Sequence, residues 1–205
     1  MNRESRPSPL GLVVLGLLLE ARMHPYEMQR LLKERQKERV VNIGQRSSFY
    51  QTINRLQRDG LIVAHRTVRE GTRPDRTVYE ITDEGRRTFH GWLRRMLAAP
   101  RDVFPDFPVA VSYLPLLEMR EAVELLETRR DALADELSEV EAALAAGGAV
   151  LPRLMLLEEE LRRDVVAAEL RWLSALVDDI DRGRITWSAE ALADQIARLS
   201  PPRTT

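Results

Sequence analysis

Three polar side chains have the types and the spacing to read a nucleic acid. Gln51, Asn54 and Arg58 recur at steps of three and four residues, so in a helix they share one face. The apolar side chains of the same segment repeat at helical spacing on the opposite face: Phe49, Ile53 and Leu56. A carboxamide can bond two atoms of adenine, and a guanidinium can bond guanine or a phosphate. The pattern predicts a helix that is anchored by one face and offers the other to base edges.

Further polar residues complete the predicted DNA-contacting set. Four of them flank the outward face of the same helix: Ser47, Ser48, Tyr50 and Arg55. Three arginines lie in or beside a turn-rich segment between two predicted strands: Arg69, Arg73 and Arg76. Arginines there would neutralise phosphates, which contributes affinity and salt dependence rather than sequence specificity. Single arginines are ordinary surface residues, so the prediction depends on the whole set.

The charge of the chain is divided unevenly between its two halves. The 205 residues carry 31 basic and 32 acidic side chains, a formal net charge of −1. Residues 1–99 hold 19 basic and 11 acidic side chains, and residues 100–205 hold 12 and 21. Such asymmetry indicates a polyanion-binding segment joined to something else. The alternative is two ordinary solvated surfaces that differ in composition.

The sequence has no recognisable catalytic set. It contains no cysteine, which excludes disulfides, thiolate chemistry and cysteine-ligated metals. Its three histidines fall in different predicted elements, and no nucleophile elbow, glycine-rich phosphate loop or zinc-protease motif is present. We therefore expect no enzyme, no cofactor and no metal site, although sequence alone leaves a site built only from carboxylates open.

The apolar run Leu10–Leu19 follows Arg3 and Arg6, as in a signal peptide. No small-residue cleavage site follows Glu20, and ten residues are too few to cross a bilayer. We expect a buried helix of a soluble domain and no membrane partner.

The order of elements predicts a mainly α protein with an N-terminal winged helix-turn-helix. The first helix extends to Arg22, the second starts at Pro25 after His24, and the third covers 49–59 with Ser48 as its N-cap. Strands at 61–68 and 77–81 flank the loop 69–75, and Thr82 caps a fourth helix. In this fold the third helix enters the major groove and the hairpin, or wing, contacts flanking DNA. Residues 1–99 form the predicted DNA-binding domain.

Residues 100–205 form a predicted helical domain for dimerisation and effector binding. Seven positions step alternately by three and four residues: Val123, Leu126, Arg130, Leu133, Leu137, Val140 and Leu144. After Gly147 and Gly148, a second helical stripe follows: Leu154, Leu157, Leu161, Val165, Ala168, Trp172 and Leu176. A short last helix covers about 188–199. The first stripe packs either within its own chain or across a dimer, and a two-fold operator favours the dimer.

Aromatic residues near the predicted domain junction are candidates for an effector pocket: Trp92, Phe104, Phe107, Tyr113 and Trp172. Aromatic side chains are also common core residues, so packing is the alternative explanation.

Three motifs carry a resemblance to a known family: LGLLLEARMHPYEMQRLL, SSFYQTINRLQRDGLI and VYEITDEGRR. The most specific parts are Tyr50–Leu56 followed by Asp59-Gly60-Leu61, and Thr82–Gly85 after Tyr79. On these motifs, the stretch Leu15–Gly85 resembles the N-terminal domain of PadR-family transcriptional regulators. The family commonly has glycine where His24 or Pro25 stands here. The resemblance implies a cytoplasmic, homodimeric repressor that binds operator DNA, with an extended helical C-terminal domain. It also implies release by a small hydrophobic or aromatic effector such as a phenolic acid.

A protein-interaction adaptor is the alternative from another functional class, because a winged helix can bind a protein partner instead of DNA. An uncharged or acidic face on the third helix would favour the adaptor, whereas this helix carries Gln51, Asn54, Arg55 and Arg58.

Overall fold

The computed structural model describes residues 7–35, 37, 40–41, 46–68, 76–188 and 198. The elements in chain order are helices α1 (Pro9–Glu20), α2 (Pro25–Glu34) and α3 (Arg46–Arg58), strands β1 (Ile62–Val68) and β2 (Arg76–Ile81), and helices α4 (Asp83–Ala98), α5 (Asp106–Ser112), α6 (Met119–Gly148) and α7 (Leu157–Asp181). The chain divides into two compact units, Met1–Asp102 and Val103–Thr205. The mainly helical architecture with one hairpin confirms the predicted fold class. Among the described residues, no helix is long and apolar enough to cross a membrane.

Helix α1 is the centre of the N-terminal unit. It packs against α3, α4 and β2, so its apolar side chains are needed on several sides rather than on one stripe. The largest fully buried side chains of this unit include members of α1, α2, α3 and β1: Leu15, Met28, Phe49, Ile53, Leu56 and Ile62. The apolar run at the start of the chain is therefore a core helix, as the sequence predicts.

Local signals place most helix ends where the sequence predicts them. The Nδ1 atom of His24 accepts from the backbone N–H of Tyr26 at 3.1 Å and caps α2. The hydroxyl of Thr82 accepts from the N–H of Gly85 at 3.0 Å and caps α4. Gly60 follows α3 with φ +73°, a left-handed conformation that glycine adopts without a side-chain clash.

Two predicted helix ends are wrong. Helix α3 begins at Arg46, so Ser48 is not its N-cap. The carbonyl of Ser48 instead accepts from the hydroxyl of Thr52, four residues later, at 2.9 Å inside the helix. Helix α1 ends at Glu20, two residues earlier than predicted, because the chain becomes extended and pairs with the hairpin.

Strands β1 and β2 form an antiparallel hairpin. Ile62 pairs with Ile81 and Ala64 with Tyr79, but the register shifts before Arg66, so His65 is the extra residue of a bulge. On the other side of β2, the connector between α1 and α2 pairs with Tyr79. The base of the wing is consequently held on both sides of β2.

The C-terminal unit is built on α6 packed against α7. The helices are antiparallel, since Arg129 bonds Glu169 while Glu136, one heptad later, bonds Arg162, seven residues earlier on α7. Buried apolar residues from both helices form one cluster: Leu126, Leu133, Val166, Leu173, Val177 and Ile180. Alternate positions of the predicted heptad therefore pack within the chain. For Leu126 and Leu133, the expectation that the first stripe faces a second protomer is wrong, because α7 already covers these side chains.

Helix α7 has a second apolar face that the C-terminal unit leaves exposed. At 100° per residue, Leu157, Leu161 and Val165 lie about 120° from the face that packs on α6. These side chains are exposed, Leu161 by 67%. Three further members of the predicted second stripe are also exposed, namely Leu154, Ala168 and Trp172, and so is the neighbouring Met155. Of the predicted last helix, 188–199, the structure describes only Ser188 and Arg198.

Candidate nucleic-acid interface

The outward face of α3 is a row of exposed polar side chains. Ser47, Gln51, Asn54 and Arg58 follow one another at steps of four, three and four residues and are all exposed. The Arg58 side chain is 77% exposed, and its Nε lies 3.9 Å from Oδ1 of Asp59. At 1.5 Å per residue, the row is about 16 Å long. This length is close to the height of about five stacked base pairs at roughly 3.4 Å each.

The opposite face of α3 is anchored in the core. Phe49, Ile53 and Leu56 are all essentially inaccessible to solvent. A helix fixed in this way holds its outward side chains in defined positions, which direct contacts with base edges require. The predicted division of α3 into an anchored and an outward face is thus present in the structure.

The other predicted residues of α3 have different environments. Tyr50 is exposed, and its ring meets that of Phe49 edge to face with centroids 6.3 Å apart. Burial, with a smaller effect from Tyr50, raises the pKa of Tyr79 above its ordinary value, so the Tyr79 phenol keeps its proton at neutral pH. Ser48 is half-buried and its backbone carbonyl is engaged within the helix.

Arg55 differs from the exposed row because its guanidinium is directed towards α1. A Cβ atom placed on Gly11 would lie 3.3 Å from Nη2 of Arg55 and 2.9 Å from the Trp92 ring. Nε and Nη2 of Arg55 are buried and have no hydrogen-bond partner in the described part of the chain. A buried donor without an acceptor costs free energy.

The predicted wing arginines fall largely outside the described structure. Arg69 and Arg73 belong to residues 69–75, which are not described, and Arg76 is described only as the first residue of β2. Their contact with DNA stays a prediction from the sequence.

A polar cluster at the base of the wing is absent from the sequence predictions. Arg22 precedes α2, His65 lies at the bulge of β1, and Glu80 lies on β2. The Arg22 guanidinium donates to Oε1 of Glu80 at 2.7 Å, and Nδ1 of His65 lies 3.0 Å from Oε2 of the same carboxylate. Arg22 and Glu80 are 58 positions apart, so no local pattern joins them. Only the pairing of the connector with β2 could have suggested the contact.

The predicted effector residues do not form one group. Trp92 is 4% exposed and belongs to the core of the N-terminal unit. In the C-terminal unit, Phe107 and Trp172 meet edge to face with centroids 6.1 Å apart, and Phe104 and Tyr113 are exposed. Only the pair Phe107–Trp172 is brought together among the aromatic contacts described.

A cation lies against Phe107 of this pair. The guanidinium carbon of Arg129 lies 3.7 Å from the centroid of the Phe107 ring, a cation–π geometry. Arg129 also donates to Glu169 at 2.9 Å, which links the aromatic pair to the α6–α7 contact.

Histidine and carboxylate side chains form no cluster of three or more that could hold a metal ion within the described residues.

The N-terminal unit is a winged helix-turn-helix: α1 to α3 are followed by the hairpin β1–β2, and α3 offers an exposed polar face. Residues 14–91 match the model of the family described as "Transcriptional regulator PadR-like family". The N-terminal unit therefore carries a PadR-like family domain.

Known proteins agree with this assignment. The negative transcriptional regulator PadR of Bacillus subtilis is 27% identical over 135 residues, which cover 62% of this chain and 70% of that protein. The crystal structure of Bacillus subtilis PadR in complex with operator DNA matches with a TM-score of 0.67 and 22% identity, over 86% of this chain and 99% of that one. The structure of the same protein with p-coumaric acid matches with a TM-score of 0.65 and 20% identity, over 85% and 99% of the chains. The Vibrio cholerae virulence activator AphA matches with a TM-score of 0.65 and 18% identity, over 84% and 98%.

Proposed function

We propose that the protein is a sequence-specific, DNA-binding transcriptional repressor whose helix α3 enters the major groove. The observation that carries the proposal is the exposed row of Ser47, Gln51, Asn54 and Arg58 on a helix whose other face is anchored in the core. The Bacillus subtilis relative is a negative regulator that has been crystallised with operator DNA, which supports the same activity and the direction of regulation.

Each side chain of the row has a role that follows from its chemistry. Gln51 and Asn54 would bond adenine in a bidentate manner, and Arg58 would bond guanine or a phosphate. Ser47, Ser48 and Tyr50 would bond phosphate oxygens through their hydroxyl groups. Arg55 would bond a phosphate through its guanidinium. The wing residues Arg69, Arg73 and Arg76 would neutralise flanking phosphates.

The two halves of the chain divide the work. In this proposal, residues 1–99 bind DNA and residues 100–205 form a homodimer and bind the effector. The exposed apolar face of α7, which includes Leu157, Leu161 and Val165, is the surface that a second protomer would cover. A two-fold dimer then places its two copies of α3 about one helical turn apart on the DNA, near 34 Å.

A small aromatic or hydrophobic molecule would release the repressor from its operator. The related protein has been crystallised with p-coumaric acid, a phenolic acid. The predicted effector residues Phe107 and Trp172 are already in contact, and an effector carboxylate would compete with Glu169 for Arg129 beside them. Release would follow if the bound molecule changed the spacing of the two DNA-binding units.

We further propose that the protein is not an enzyme and that it acts in the cytoplasm. Its PadR-like domain is typical of transcriptional regulators, and the relatives named above come from bacteria, whose DNA lies in the cytoplasm.

Titration of the protein against DNA from upstream of its own gene, followed by gel shift at several salt concentrations, tests the proposal. We expect a sequence-specific complex whose affinity falls linearly with salt on logarithmic axes, because bound arginines release counterions from DNA. Random DNA of the same length is the control. Failure to discriminate the two DNAs, or an affinity unaffected by salt, would contradict the proposal and favour the protein-interaction adaptor.

A further inference from the structure

The cluster at the base of the wing joins three segments of the N-terminal unit. Arg22 contributes from the connector between α1 and α2, His65 from β1 and Glu80 from β2. Nη1 of Arg22 lies 3.1 Å from Nε2 of His65, Nη2 lies 2.7 Å from Oε1 of Glu80, and Nδ1 of His65 lies 3.0 Å from Oε2. Each residue therefore contacts the other two.

The donor and acceptor roles in this cluster are fixed by the arginine. A guanidinium can only donate, so Nε2 of His65 must accept from it. The proton of the neutral imidazole then lies on Nδ1 and is donated to Glu80. The hydrogen bond from Arg22 also holds the pKa of the Glu80 carboxyl below its usual range, so the carboxylate is charged at neutral pH.

The β-bulge at His65 explains why the three side chains of the cluster meet. The register shifts between Ala64 and Arg66, so His65 is an extra residue that has no partner in the ladder. A bulge bends its strand and re-aims its side chain. Here the re-aimed side chain reaches both the connector and the neighbouring strand, and the bend lies where the wing leaves the core.

A small change of angle at this point becomes a large displacement further along the wing. From His65 to Val68 the strand extends about 10 Å at 3.3 Å per residue. A rotation of 10° at His65 would move Val68 by nearly 2 Å, and a charge-assisted hydrogen bond to phosphate tolerates much less. Exposed ion pairs add little stability, so orientation is the property that this cluster can control.

We infer that Arg22, His65 and Glu80 are positioning residues that set the angle at which the wing meets DNA. This inference rests on the proposed DNA-binding function. It assigns no DNA contact to the three side chains themselves.

The variant Glu80→Gln distinguishes a positioning role from direct electrostatic repulsion, because the two predict opposite changes in DNA affinity. Removing a negative charge near DNA should strengthen binding if the charge acts on the phosphates directly. If Glu80 positions the wing, Glu80→Gln should instead weaken operator binding about three- to tenfold, because the carboxamide is uncharged and keeps only one acceptor oxygen for the two donors Arg22 and His65. The slope of affinity against salt should become shallower, because wing phosphates are no longer neutralised.

A double-mutant cycle completes the test. Operator affinity is measured for Arg22→Gln, Glu80→Gln and the double variant. The double variant should bind the operator no more weakly than whichever single variant has the lower affinity. The matched control is the ion pair of Arg87 with Glu84 on α4, which joins two groups at 2.6 Å in the same unit. The variants Arg87→Gln and Glu84→Gln should combine additively and leave the salt slope unchanged.

The histidine supplies an independent variant. His65→Gln keeps a side chain that can both donate and accept, so it should retain operator affinity within about twofold, whereas His65→Ala should lose it. Thermal unfolding of each variant is the control that tests whether the fold is retained.

Two outcomes separate this inference from the proposed function. If the wild-type protein does not discriminate operator from random DNA, the proposed function fails. If the wild-type protein binds its operator while Glu80→Gln binds more tightly or combines additively with Arg22→Gln, the positioning role alone is overturned.

Discussion

Met23 and Tyr79 exchange both of their backbone hydrogen bonds. The N–H of Met23 donates to the carbonyl of Tyr79 at 3.2 Å, and the N–H of Tyr79 donates to the carbonyl of Met23 at 3.1 Å. An isolated two-stranded hairpin is only marginally stable in water, and this bridge adds a third segment to it. Because Met23 lies in the short connector after α1, the base of the wing is tied to the core through the backbone as well as through the Arg22 cluster.

Two alanine variants should separate base reading from phosphate binding. Asn54→Ala should cost about 1–3 kcal/mol on the operator and little on random DNA, because it removes contacts to one base. Arg73→Ala should weaken binding to both DNAs about equally and lower the salt slope by about one. Quantitative gel shifts on the two DNAs measure both effects. Equal losses on both DNAs for both variants would reject this division.

Two glycines of α4 should respond oppositely to alanine. A Cβ atom on Gly85 would lie 2.1 Å from the carbonyl oxygen of Leu61 and 2.7 Å from Ile81, whereas one on Gly91 would meet nothing within 4 Å. Gly85→Ala should therefore destabilise the protein by at least about 1–3 kcal/mol, as overpacking does. Gly91→Ala should stabilise it by up to about 1 kcal/mol. Chemical denaturation measures both, and similar effects at the two sites would show that α4 packs differently.

Arg55 should lower the stability of the free protein and raise its affinity for DNA. Arg55→Met keeps a long side chain and removes the two buried nitrogens that lack acceptors, so the free energy of unfolding should stay equal or rise. DNA affinity should fall about tenfold, because a phosphate contact is lost. Denaturation and gel shifts test the two halves separately. A less stable variant with unchanged DNA affinity would make Arg55 purely structural.

The exposed face of α7 should control the oligomeric state. Leu161→Glu places a charge on a side chain that is 67% exposed, so the fold of one protomer should be little affected. A dimer that buries this face should dissociate, because an unpaired charge in an interface is costly. Sedimentation velocity measures the change, with Glu141→Gln on the exposed side of α6 as the control. A variant that remains dimeric would move the interface elsewhere.

An ion pair between α1 and the end of α2 should make stability depend on pH. Both guanidinium nitrogens Nη1 and Nη2 of Arg35 donate to the Glu20 carboxylate at 2.7 Å, and this holds the pKa of Glu20 below its ordinary value of 4.5. A lowered pKa in the folded state means that the contribution is present above about pH 4.5 and is lost as the pH falls through the folded-state pKa.

Solvent screening keeps the effect of this pair small. Both side chains are about half exposed, and such pairs contribute roughly 0.2–1 kcal/mol. Glu20→Gln should therefore unfold more easily than the wild type at pH 7, and the difference should shrink below pH 4.5. Unfolding free energies of both proteins across this range provide the measurement. A difference that does not change with pH would rule out the ion pair as its source.

The sequence by itself determined most of the N-terminal unit. The periodicity of Phe49, Ile53 and Leu56 and the caps at His24 and Thr82 are local signals, because helix faces and helix ends depend on residues a few positions apart. The exposed row on α3 follows from the same periodicity. Local signals were less exact at the start of α3, where a serine that suits a cap lies inside the helix.

Only the tertiary structure decided which surfaces pair. The heptad of α6 would suit a neighbouring helix in the same chain or in another, and the residues Val166, Leu173 and Val177 of α7 fill it within the chain. The grouping of Arg22, His65 and Glu80 depends on a bulge and on a backbone bridge between distant segments. Such contacts are set by the packing of whole elements, which sequence periodicity alone does not specify.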